Sequence, residues 1–186
     1  GIYIRNAASG LVALDLAGDI VSGDFENEDD DYRTDGGSGV YAVQYGRGDL
    51  TVDLSGSIDV AGLGLQLYLS NSGVNAQVGD LLVDVAQGGS ITAGDAGIQA
   101  FNYRVGALNI TNAGIIDGYV AGIDATHYGV GELNIANSGT IYSNFTGIIA
   151  THTGAELLSV VNSGSIISKQ PAITVNSLAP NAGIYA

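Results

Sequence analysis

The 186-residue chain contains no cysteine. Disulfides, thiolate metal ligands and cysteine nucleophiles are therefore excluded. Methionine and tryptophan are absent too, and proline occurs only as Pro171 and Pro180. Basic residues are scarce: five Lys and Arg stand against 19 Asp and Glu, a net charge of −14. Nucleic acid and anionic membrane surfaces need cationic side chains to neutralise phosphates, so neither is an expected partner. A surface this acidic solvates the protein and could concentrate cations. No apolar run reaches the roughly 18 residues of a membrane-spanning segment, and no signal peptide is recognisable. The chain starts at Gly1, inside a repeat and without Met, and reads as an excised or processed piece of a longer protein.

Glycine, by contrast, is abundant at 29 residues, and 46% of the chain is hydrophobic. That hydrophobic share argues against a disordered low-complexity chain, so the glycines mark turns in a folded object. Residues 97–121, 122–146 and 147–171 align without gaps at a spacing of 25 residues. Residues 39–63 repeat the template, residues 64–96 carry it with eight extra residues around Tyr68 to Asp80, and residues 1–38 carry it with thirteen extra after Ile20. A fixed period of this size is the signature of a solenoid. Within each period apolar residues recur two apart, as in Leu108/Ile110, Leu133/Ile135 and Leu158/Val160. Two is the strand period. On the upstream coils the same pair of columns reads Val12/Leu14, Leu50/Val52 and Val83/Val85. The expected fold is all-β: a right-handed parallel β-helix of about seven coils, forming one stack over 1–186 with insertions near 21–38 and 68–80.

The polar residues also form columns. Asn112, Asn137 and Asn162 stand beside a glycine turn, where side-chain amides can satisfy turn backbone and one another. His127 and His152 lie one period apart, with Gln44 and Asn102 as counterparts; this reads as an outward polar column at a strand end. Tyr45, Tyr103 and Tyr128 form a neighbouring column and are the candidate contact residues, since an aromatic ladder can meet sugar rings or a partner protein. The segment holding Asp24, Glu26, Glu28, Asp29, Asp30, Asp31 and Asp35 is the candidate metal site. Hard cations such as Ca²⁺ want six to eight oxygens, although the ordering of an EF-hand loop is missing. No other cofactor is expected.

The motifs Asn137-Ser138-Gly139-Thr140-Ile141 and Asn162-Ser163-Gly164-Ser165-Ile166, each following a short apolar strand, resemble the repeats of bacterial autotransporter passenger domains. Asn112-Ala113-Gly114-Ile115-Ile116 and Leu54-Ser55-Gly56-Ser57-Ile58 look like weaker copies. The resemblance implies a secreted passenger stalk at a Gram-negative cell surface, meeting host cells, sister cells or glycans. It specifies packing more closely than activity. A non-enzymatic structural or adhesive element is the leading expectation. Two alternatives remain open: a self-assembling filament subunit, and a carbohydrate-active enzyme using Asp95, Asp117 and Asp124 with Arg104.

Overall fold

The computed structural model describes residues 1–22, 37–70, 77–178 and 182–185. The described residues are built from short strands and turns, with no helix among them. One coil serves as the pattern: strands Ala96–Asn102, Leu108–Asn112 and Ile115–Gly118 are joined by two tight turns. The next coil repeats them as Ala121–His127, Leu133–Asn137 and Thr140–Ser143. Every first strand pairs in parallel with the first strand of the coils before and after it, and the second and third strands do the same. The result is three parallel sheets, of seven, seven and six strands among the described residues, with the coils stacked in sequence order. This is a parallel β-helix. At the usual strand spacing of about 4.8 Å its seven rungs span roughly 30 Å.

The register follows from the period-2 patterning. In the first sheet Ile98, Ile123 and Ile148 stack in one inward column and Ala100, Ala125 and Ala150 in the next. In the third sheet Ile91, Ile116 and Ile141 are fully buried and in register. Ile166 continues that column but is only half-buried, as are Ile2, Ile4, Val12, Leu14, Ile20, Ile173 and Val175 at the two ends of the stack. Inner coils are covered from both sides, whereas the outer ones have a neighbour on one side only.

The register corrects one upstream assignment. Leu81, not Val83, pairs with Leu50 and Leu108; Val83 pairs with Val52 and Ile110. The path from Leu65 to Leu81 is sixteen residues where Ile98 to Leu108 is ten. The other two extra residues fall in the turn between Val85 and Ser90, where Gly88 has a φ of 99°. The eight-residue insertion is thus split between two corners. A two-residue slip keeps every side chain on its proper face, so hydrophobicity alone cannot detect it. The thirteen-residue insertion lies between Val21 and Val40, from third sheet to first, and Ile2 pairs with Val40 across it.

Two glycine columns have different causes. Gly114, Gly139 and Gly164 have ordinary φ, but a Cβ at each would lie 2.1–2.2 Å from the carbonyl oxygen of the glycine one coil earlier. Gly10, Gly48, Gly106 and Gly131 take φ between 114° and 144°, a region closed to other residues, at the turn into the second sheet.

Replacing Ile141 with Asp places a carboxylate where no partner can reach it. Urea unfolding is expected to show a loss of about 4 kcal/mol or more. A cost comparable to that of a surface substitution would contradict the register.

Candidate functional site

The outward face of the first sheet carries a row of aromatic rings. Tyr3 and Tyr41 stack with centroids 5.1 Å apart and planes 5° from parallel. Tyr41 meets Tyr68 at 5.8 Å with a 47° tilt. Tyr68 stacks on Phe101 at 5.1 Å, Phe101 on Tyr103 at 6.2 Å, and Tyr103 on Tyr128 at 4.8 Å. Six rings thus form an unbroken diagonal across five coils. The strand period explains the diagonal: Tyr3 and Tyr41 share one outward column, Tyr68 and Phe101 the column two residues on, and Tyr103 and Tyr128 the next.

The sequence-derived column of Tyr45, Tyr103 and Tyr128 is therefore only partly one object. Tyr103 and Tyr128 are neighbours, but Ser70 occupies the coil between Tyr45 and Tyr103. Tyr45 instead holds the guanidinium of Arg5, 4.9 Å over its ring. Phe101 falls outside any column drawn at one template position, because the ladder steps sideways by two. Outward period-2 aromatics on adjacent coils are the signal that would have found it.

Stacking decides what the ladder can do. The rings of each stacked pair lie face toward face, and the Tyr68 hydroxyl is engaged by a neighbouring glutamine. Tyr3 is 69% exposed and Tyr128 49%. Each aromatic pair adds about 0.5–1.5 kcal/mol beyond its buried area. Burial raises the pKa of Tyr41 and Tyr103, with the neighbouring phenols adding to it, so both hydroxyls stay protonated donors at neutral pH. Beside the ladder runs a polar row. Ser38 Oγ lies 2.8 Å from Gln66 Oε1, Gln66 Nε2 donates to Tyr68 Oη (3.0 Å) and Gln99 Oε1 (3.3 Å), and Gln99 hydrogen-bonds Asp124. Burial raises the Asp124 pKa, and the charge of Asp95 raises it further.

The other candidates separate. Asp117 lies on the exposed side of the third sheet. Arg104 is 1% exposed and donates to backbone carbonyls: Ser70 (3.0 and 2.7 Å), Gly46 (2.6 Å), Gly48 (3.4 Å) and Gln44. It ties three successive turns together. The planar five-donor fork of arginine suits this task, and burial lowers its pKa. Arg104 is thus committed to turn carbonyls and is not grouped with the carboxylates. The acidic stretch Asp24 to Asp35 lies outside the described residues. Among the described residues no group of three metal-ligating side chains converges.

The histidines face inward, not outward. His127 and His152 are fully buried, with ring centroids 5.0 Å apart and planes near perpendicular. Their column reads Asn6, Gln44, Leu69, Asn102, His127, His152 and Ser177. Asn102 and His127 answer the backbone of the first turn. The amide N–H of Arg104 donates to Asn102 Oδ1 at 2.8 Å, and that of Gly129 to His127 Nδ1 at 3.1 Å. Asn102 Nδ2 donates to the Ala107 carbonyl (3.1 Å), and His127 Nε2 lies 2.7 Å from that of Gly106. His127 is therefore the Nε2–H tautomer and a structural residue. Neither ring nitrogen of His152 has a hydrogen-bond partner. The asparagine column forms the expected ladder: Asn112 Nδ2 donates to Asn137 Oδ1, and Asn137 Nδ2 to Asn162 Oδ1, both at 2.7 Å.

Burial lowers the His127 pKa, the Gly106 carbonyl opposing it. Between that lowered value and about 6.5 the unfolded chain binds more protons, so stability falls as pH drops through this window and returns above it. Replacing His127 with Asn, the residue one coil earlier, should flatten the loss of urea midpoint between about pH 7 and 5. An unchanged slope would contradict the assignment.

Comparison of the chain with protein-family models, with curated proteins and with solved structures returns no match.

Proposed function

We propose that this chain is an extracellular structural and adhesive β-helix, a passenger-type rod at a bacterial cell surface that works by contact with cells, glycans or sister subunits. One observation carries the reading: the unbroken row of six aromatic rings on the outward face of the first sheet. A flat parallel sheet offers its side chains at fixed spacing, so weak contacts repeat along the rod and their avidity accumulates. Aromatic rings supply large rigid contact area at low entropy cost. The asparagine motifs that resemble passenger repeats support the same reading from the packing side, since such stalks are rods whose outer faces vary.

A second reading, a carbohydrate-active enzyme, is favoured by Asp124, whose carboxyl has a raised pKa beside Asp95. Paired carboxylates in unlike environments are the arrangement glycoside chemistry uses. It is the weaker reading because Arg104, the cation it would recruit, is held by turn carbonyls.

The test replaces Tyr3, Tyr103 and Tyr128 together with Thr, which keeps strand propensity. Binding of protein-coated beads to bacterial and epithelial cells, and to immobilised copies of the chain, is expected to fall about ten-fold or more, the scale of losing over 1.4 kcal/mol of contact. The circular dichroism spectrum should be retained. Undiminished binding to all three surfaces would overturn the contact reading. Cleavage of a polysaccharide panel that is abolished by Asp124→Asn would replace it with the enzymatic one.

A further inference from the structure

A second exposed feature lies away from the ladder, where the third sheet turns into the first. Gly118 pairs with Ala93 and with Ser143, so Gly94, Tyr119 and Asn144 share the next position on three successive coils. The coil preceding Tyr119 has no side chain there. Tyr119 therefore overhangs Gly94 and leaves a depression of about 310 Å³, lined by Thr92, Ala93, Gly94, Asp117, Tyr119 and Asn144. Such a volume lies at the lower end of small-ligand pockets.

Tyr119 differs from the ladder tyrosines in its ring contacts. Its one ring neighbour among the described residues is Phe145, at 5.9 Å and 68°, an edge-to-face pair. The ring is 45% exposed and lines the depression together with the buried Gly94. Around it stand three kinds of hydrogen-bonding group: the Asp117 carboxylate, which only accepts; the Asn144 amide, which donates and accepts; and the Thr92 hydroxyl, which does either. Among the described residues no hydrogen bond ties the Asp117, Asn144 or Thr92 side chain to another protein group, whereas the ladder's glutamines are bonded to one another.

We propose that this depression binds one ring of a neutral sugar. A pyranose presents a patch of C–H groups to an aromatic face and vicinal hydroxyls at its rim. The hydroxyls can donate to Asp117 and exchange hydrogen bonds with Asn144 and Thr92. The net charge of −14 disfavours uronic and sialic acids. An amide and a hydroxyl beside the carboxylate suit a polyhydroxylated ring better than a simple cation. The site does not depend on the ladder: it lies at another corner and uses none of its rings.

The experiment is a two-dimensional amide NMR titration of the whole chain with D-galactose, D-mannose, N-acetyl-D-glucosamine and lactose, with choline and lysine alongside. At least one sugar is expected to shift the Thr92, Tyr119 and Asn144 resonances saturably at millimolar concentration. Tyr119→Ala should abolish the response. Asp117→Ala removes the exposed carboxylate acceptor at the rim and should weaken the response about ten-fold. Tyr128→Thr, in the ladder, should leave it unchanged. The proposal is overturned if no sugar gives a saturable shift, if the response survives Tyr119→Ala, or if choline or lysine binds there and the sugars do not. None of these results bears on the cell-binding test of the ladder, so the two can fail separately.

Discussion

No single coil of this protein can bury its own apolar residues. Each contributes two or three inward side chains per strand, and those are covered only when the coil before and the coil after supply the same columns. Leu108 is fully buried because Leu81 and Leu133 lie in register on either side, and Ile116 because Ile91 and Ile141 do. Cooperation between neighbours, more than the strength of any one contact, holds the stack together.

That constraint also decides how polar groups enter the interior. A buried amide or imidazole is tolerated where its partners repeat with the coils. The asparagine ladder does this side chain to side chain, and the Asn102 and His127 positions do it side chain to turn backbone. Arg104 is the extreme case, a buried cation solvated by carbonyls from turns of different coils. The inward columns are thus committed to packing and turn geometry. The outward columns are free to vary, which is why the aromatic ladder and the Tyr119 depression both lie there.

Much of the fold was legible in the sequence, because a 25-residue period and a two-residue alternation are both visible as spacing. What escaped had physical reasons. The two-residue slip at Val83 left inward residues inward, so no hydrophobic penalty exposed it. The polar type of the histidines points them outward on sequence alone; the turn N–H and C=O groups facing His127 explain its burial, whereas the ring nitrogens of His152 are buried without a partner. The ladder was half seen, since Tyr103 and Tyr128 share a template position while Tyr3, Tyr41, Tyr68 and Phe101 occupy others. The depression at Tyr119 depends on a missing side chain at Gly94, and the sequence shows that glycine without showing what overhangs it.

The dependence of each coil on its neighbours is tested most directly by native-state amide hydrogen exchange. Protection should rise from the end strands, Ile2–Asn6 and Ile173–Ser177, to a maximum in the central strands Leu108–Asn112 and Leu133–Asn137. Fast exchange in a central coil flanked by slowly exchanging neighbours would show that coils hold themselves together singly, and would contradict the stacked core from which the rest follows.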